Sequence, residues 1–356
     1  MMSKGYIVFE NGTVFTGILH GSPQPIGGEA VFNTSMNGYQ EIITDPSYAG
    51  QILVMTYPQI GNYGFGEYGF EADKPALQAL VVKEMSTLNG HYESRWSFEE
   101  FLDRFHLICL SGVDTRAIAR MIRIEGSMGA VITGSLDNLA RLREQAVLGK
   151  SLLDSDLVKR VSRKQIEVIG DGARHIVLWD FGTKQGIIKS LLGRGCRVTA
   201  VPAATKADEI LSLNPEGLVL SNGPGNPESC HYVTRELEKL MGRIPIFGIC
   251  LGHQLLALTL GAHTYKMTFG HRGGNHTVKD LNGKCYVSSQ NHGYAVDADS
   301  LGGTGLKVSF MNLNDNTVEG LYHEKLPLLS VQFHPEAKPG PQDTGYLFDK
   351  FLAMTA

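Results

Sequence analysis

At 356 residues, 42% apolar and 19% charged, the chain has the composition of a soluble globular protein with room for two domains, each burying its own core. A formal charge of −4 argues against a nucleic-acid or anionic-membrane partner, either of which favours a basic surface. The opening M-M-S-K-G-Y-I-V-F-E has no apolar segment with a cleavage signal, and the longest apolar-leaning run, residues 248–262, is too short to span a bilayer.

Residues 1–150 read as a mixed, strand-rich α+β domain. Residues 5–9 and 13–17 flank Asn11-Gly12, a hairpin signal, and residues 30–33 and 51–56 look like further strands. Helical periodicity follows over 97–105 and over 115–124, the second closed by Glu125-Gly126. The polar stretch 151–172 has linker composition, and the domain boundary is placed near residue 168. In the second domain, residues 173–356, short apolar runs at 175–180, 197–201, 217–220 and 244–249 alternate with helix-like segments at 184–192, 209–211, 232–241 and 253–260. That alternation predicts an α/β domain: a mostly parallel open sheet with helices on both faces. Ligands of such sheets bind beyond the carboxyl ends of the strands, so the chemistry is sought in the loops after Leu220 and Ile249.

The five cysteines (109, 196, 230, 250, 285) are odd in number and contain no C-x-x-C pair, which fits a reducing cytoplasm. Four read as small core hydrophobes. Cys250 differs because G-I-C-L-G lies where a strand turns sharply into a helix, the pattern of a nucleophile elbow with Cys in place of Ser. A thiol at a helix N-terminus faces the positive end of the dipole, which favours the thiolate. Alone, the motif reads equally well as a buried Cys between packing glycines. A thiolate nucleophile needs an oriented base. His334 ends the apolar run L-L-S-V-Q-F, and Glu336 follows two residues on, where an extended chain projects both side chains from one face. A third segment, S-N-G-P-G-N-P at 221–227, offers backbone amides to an oxyanion, although in isolation it is simply a turn.

Together S-N-G-P-G-N-P, G-I-C-L-G-H-Q and H-P-E resemble the class I, triad-type glutamine amidotransferase domain. Further segments resemble the family of small, glutamine-hydrolysing subunits of carbamoyl-phosphate synthase. They are residues 31–48, L-S-G-V-D-T-R at 110–116, F-G-H-R-G-G-N-H at 269–276, Q-N-H-G-Y-A-V at 290–296 and P-E-A-K-P-G-P at 335–341. The resemblance covers nearly the whole chain. It implies a catalytic set of Cys250, His334 and Glu336, with L-glutamine bound by Ser47, Gly223, Gly225, Leu251, Gln254, Asn291, Gly293 and Tyr294. Gly223 and the Leu251 amide are expected to form the oxyanion hole, and Asn291 and Gly293 are expected in a loop. Tyr294 stands where many relatives have Phe, and Lys338 where they often have Ser. Ser47 falls in the first domain.

Gly283-Lys284-Cys285 lacks the upstream Gly and the hydroxyl of a phosphate-binding loop, and no metal-ligand spacing is visible. No cofactor is therefore expected on this chain. The resemblance implies that ATP and Mg²⁺ are used by a partner, the large synthetase subunit, which receives ammonia through a protected channel. The rival readings are the glutaminase subunit of another synthetase, an inactive partner-binding module, and a free-standing cysteine hydrolase.

Overall fold

A computed structural model describes residues 3–355. The chain divides into two compact units, Met1–Leu157 and Val158–Ala356.

The first unit contains β1 (Ser3–Phe9), β2 (Val14–His20), β3 (Ile26–Asn33), β4 (Gln51–Met55), β5 (Gln59–Ile60), β6 (Ala79–Val81), β7 (Glu84–Met85), β8 (Ile108–Ser111) and β9 (Met128–Thr133). Its helices are α1 (Tyr39–Ile43), α2 (Phe98–Phe105), α3 (Thr115–Glu125) and α4 (Leu139–Lys150). The Asn11-Gly12 turn joins β1 to β2 with Gly12 at φ 89°. Helix α2 opens on a capping box in which Ser97 and Glu100 satisfy each other's amides, and α3 opens on Asp114, which accepts from the Ala117 amide. The strands close into a barrel in the order β1-β2-β8-β6-β4-β3-β9, sealed where Tyr6–Phe9 pair with residues 130–133. Closure removes sheet edges, and it depends on a pairing more than a hundred residues apart that no local pattern announces. Phe65 stacks on Phe101 with centroids 4.0 Å apart inside the largest core of this unit.

The second unit adds α5 (Val158–Val161), β10 (Glu167–Ile169), β11 (Arg174–Asp180), α6 (Gln185–Leu192), β12 (Cys196–Pro202), α7 (Ala207–Ser212), β13 (Gly217–Leu220), α8 (His231–Glu238), β14 (Ile246–Ile249) and α9 (Leu251–Thr259). It ends with β15 (Thr264–Asp280), β16 (Cys285–Val296), β17 (Leu306–Asn312), β18 (Val318–His323), β19 (Leu328–Val331) and α10 (Tyr346–Ala353). The expected linker is thus partly structured. Val158 enters the core of this unit, and β10 is an edge strand held only by β12. Strand β10 is three residues long and mostly exposed, so it stands out little from the polar stretch around it, and the division between the units falls at 157/158, not near 168.

The sheet runs β10-β12-β11-β13-β14-β19-β18-β17-β15-β16. Strands β12, β11, β13, β14 and β19 are parallel, as the alternating pattern predicts. The expectation of a mostly parallel sheet is corrected beyond them: β18, β17, β15 and β16 form an antiparallel arm. Within that arm β15 lacks regular apolar alternation, holding three glycines and two histidines. Alternate residues of β11 face opposite layers. Val177 and Trp179 pack with residues of α7, α8 and α9, while Ile176 and Leu178 pack with those of α6 and α10. Each such fully buried side chain contributes roughly 2 kcal/mol. The double cover fixes the carboxyl ends of β11, β13, β14 and β19 as a rigid platform.

Candidate active site

Cys250 is the single residue between β14 and α9, with φ 52° and ψ −103°. For a side chain bearing Cβ this is strained backbone, and such strain persists only where its surroundings impose it. They do so tightly. A Cβ on Gly252 would stand 2.4 Å from the Leu220 oxygen, and one on Gly248 would stand 2.7 Å from Leu256 Cδ1. The Cys250 amide donates to the Val331 oxygen at 2.9 Å, and Sγ lies 3.6 Å from the Asn291 carbonyl, to which the thiol donates. The elbow expected from G-I-C-L-G is present, with its sulfur buried.

His334 lies three residues past β19, and its amide donates to the Ser289 oxygen of β16 at 2.9 Å. Its Nδ1–H donates to Glu336 Oε1 at 2.7 Å, with both side chains buried. The expected contact is made, but not by extended chain. Residues 335 and 336 form a turn closed by the Ala337 amide on the His334 oxygen, with Ala337 at φ 55°.

Lys184, whose sequence pattern marks only the start of a helix, completes this group. Its Nζ is 2.8 Å from the same Glu336 Oε1 and is equally buried. The Asp180 carboxylate gathers the Gly182 and Thr183 amides, and Asn222 accepts from the Lys184 amide while donating to the Gly182 oxygen. Asn222 belongs to S-N-G-P-G-N-P, so that segment positions Lys184 as well as offering a turn. The signal available in sequence was a lysine at a helix N-cap, where the dipole disfavours a cation.

The electrostatics follow from this packing. Burial opposes a charged imidazole, but Glu336 overrides it and holds His334 up at about 10, with the Cys250 thiol also among the groups that stabilise the protonated ring. Burial likewise opposes a charged Glu336, but Lys184 and then His334 hold it down at about 2. Two cations flank one carboxylate, leaving net positive charge beside the sulfur. Nε2 of His334 has no protein partner in ordinary hydrogen-bond geometry, so its proton is available to a reacting group.

Gly223 follows β13, and a Cβ there would stand 2.8 Å from Leu251 Cδ2, so this loop lies against the start of α9; Gly225 has φ 89°. The Leu251 amide opens α9 and is one of the helix's orphan donors. Gln254, one turn on, donates to the Tyr294 oxygen at 2.9 Å. Asn291, Gly293 and Tyr294 are not in a loop: they belong to β16. As the last strand of the sheet, β16 has one side without a neighbouring strand, and the isolated Ser289–His334 bridge ties it to the segment after β19. A strand edge offers backbone donors and acceptors as a loop does, and the resemblance could not distinguish the two. Ser47 belongs to the first unit, in the 3₁₀ turn Pro46–Tyr48, with its amide donating to Asp45 Oδ1.

Cys109, Cys196 and Cys230 are buried, but Cys285 is exposed, correcting the reading of all four as core. His271, His292 and Glu319, far apart in sequence, bring ligand-type atoms within 4.8 Å of one another. Their ring nitrogens are already engaged. His271 Nε2 donates to Asp315 at 2.8 Å and its Nδ1 lies 3.3 Å from Glu319 Oε1, while His292 Nδ1 donates to the Tyr294 oxygen at 2.8 Å. The group therefore reads as a hydrogen-bonded support for β16. Among the described residues no helix is long and apolar enough to cross a membrane.

An elbow cysteine and a buried His–carboxylate pair beyond the ends of parallel strands are the marks of a class-I glutamine amidotransferase domain, and the family profile "Glutamine amidotransferase class-I" matches residues 177–354. A second profile, "Carbamoyl-phosphate synthase small chain, CPSase domain", matches residues 7–132. A carbamoyl phosphate synthase small chain of Staphylococcus epidermidis is 50% identical over 355 residues, covering 99% of this chain and 96% of its own. One from Syntrophotalea carbinolica is 44% identical, with 99% and 97% covered, and the arginine-specific small chain of Bacillus subtilis is 46% identical, with 98% and 96% covered. The chain belongs to the carbamoyl phosphate synthase small chain family.

Proposed function

We propose that this chain hydrolyses glutamine through Cys250, His334 and Glu336 and passes the ammonia to a large synthetase subunit. Cys250 Sγ attacks the side-chain amide carbon as the thiolate, its own proton held on His334 Nε2, and the oxyanion is held by the amides of Gly223 and Leu251. The C–N bond breaks as the His334 Nε2 proton moves to the departing nitrogen, releasing ammonia and leaving a γ-glutamyl thioester. Water then attacks the thioester carbon while Nε2 accepts its proton; the C–S bond breaks and glutamate departs. Glu336 keeps the ring in one orientation and stabilises its charge, and Lys184 fixes Glu336. Gly225, Gln254, Asn291, Gly293 and Tyr294 hold the glutamine. ATP, Mg²⁺ and bicarbonate chemistry belongs to the large subunit, and the pair works in the cytoplasm, supplying carbamoyl phosphate for arginine or pyrimidine synthesis.

The observation that carries this reading is the 2.7 Å His334–Glu336 bond beside an elbow cysteine whose backbone is held at φ 52°. It is tested by assaying the full chain for glutamate release and by mass spectrometry of acid-quenched reactions. A γ-glutamyl adduct on Cys250, and no glutamate release by Cys250→Ala, are expected. Undiminished release by Cys250→Ala overturns it.

A further inference from the structure

The amide of Gln254 has no choice of orientation. Its Nε2 donates to the Tyr294 oxygen and to Gln332 Oε1, each at 2.9 Å. A backbone carbonyl only accepts, so the NH₂ end of Gln254 must face β16. Its second N–H then meets Gln332, which must present its own oxygen in return. Both donors of Gln254 are committed, and Oε1 is the end of that amide left for a ligand.

Gln332 is itself fully buried, in the short stretch between β19 and His334, and its backbone amide donates to the Glu319 oxygen at 2.9 Å. Its Nε2 is buried and reaches no protein acceptor. A buried amide with an unmatched NH₂ is a poor choice for packing alone, since an apolar side chain of similar length would fill the space without that cost. The polar group makes sense through its oxygen, whose partner is Gln254.

We propose that Gln332 is a positioning residue of the glutamine site. It does not touch substrate. It locks Gln254 with Oε1 turned to the ligand, so that Gln254 accepts from an N–H of glutamine. Without Gln332, one donor of Gln254 is unpaired and the amide loses half of what fixes its rotation. This rests on the reading of Gln254 as a substrate contact.

The test uses the full chain, with KM and kcat for glutamate release, the rate of Cys250 alkylation by iodoacetamide, and Tm as readouts. Gln332→Met, similar in length but without an acceptor oxygen, is expected to raise KM about tenfold with kcat changed by less than about threefold, the worth of one buried hydrogen bond. Alkylation stays at the wild-type rate. Gln332→Glu, which keeps an acceptor, restores most of the affinity, and Gln254→Ala combined with Gln332→Met has a KM no higher than Gln254→Ala alone. A wild-type KM in Gln332→Met, or additive effects in the double variant, overturns the proposal while leaving Gln254 as a contact. Parallel loss of kcat, alkylation and Tm without rescue by Gln332→Glu means a merely structural role and also overturns it. If Gln254→Ala itself leaves KM unchanged, the underlying reading of Gln254 fails first.

Discussion

Lys184 and Glu336 are 152 positions apart, yet Lys184 Nζ stands 2.8 Å from the carboxylate oxygen that His334 also uses. Three buried charges therefore act as one unit. Glu336 raises the basicity of His334, and Lys184 moderates it. Removing Lys184 leaves Glu336 compensated by His334 alone and makes the imidazolium hold harder the proton that the proposed mechanism passes to the leaving nitrogen. Lys184→Met is expected to cost about 3 kcal/mol of stability, the range for breaking a buried pair, and to lower kcat for glutamate release about tenfold. Denaturant unfolding and steady-state kinetics check both, and an unchanged kcat would make Lys184 a spectator.

The same unit predicts a pH dependence of stability. His334 is raised from 6.5 to about 10, so its stabilising contribution is complete below pH 6.5 and is lost as pH rises towards 10. Glu336 is lowered from 4.5 to about 2, so its contribution is complete above pH 4.5 and is lost as pH falls towards 2. Melting curves of wild type and His334→Asn from pH 6 to 10 are expected to converge as pH rises. A difference in Tm that stays constant across that range contradicts the assignment of a charged His334.

Much of this centre was legible in sequence because its parts are local. The elbow sits in five residues, His334 and Glu336 are two apart, and the parallel strands are short apolar runs between helices. Lys184 was not legible because its partner is distant and its own neighbourhood, D-F-G-T-K, reads as a loop entering a helix. The antiparallel arm was missed for a physical reason as well. Strand β15 is bulged between Lys266 and His271 and again between Gly273 and His276, which breaks the period-two pattern that marks a strand. Barrel closure by β1 and β9 has no signature in either strand. Gln332 lies in the apolar run before His334, and its partner Gln254 is 78 positions away, so nothing local marks its role.

The elbow predicts an intolerance of bulk at position 252. Gly252→Ala places a methyl 2.4 Å from the Leu220 oxygen, a backbone atom that cannot swing aside, so α9 must shift at its first turn. Overpacking of this kind costs about 2 kcal/mol, or roughly 6 °C in Tm for a unit of this size. Because the shift moves the Leu251 amide relative to Cys250, kcat is expected to fall about a hundredfold, the loss associated with one oxyanion donor. Normal kcat in a destabilised Gly252→Ala would separate the elbow geometry from catalysis.

The most direct measurement is carbamoyl phosphate formation by the chain reconstituted with a large synthetase subunit, comparing glutamine with ammonium as nitrogen source. Cys250→Ser is expected to abolish the glutamine-dependent rate and to leave the ammonium-dependent rate at the wild-type level. Glutamine-dependent synthesis that survives Cys250→Ser would contradict Cys250 as the nucleophile, and with it the account of the site given above.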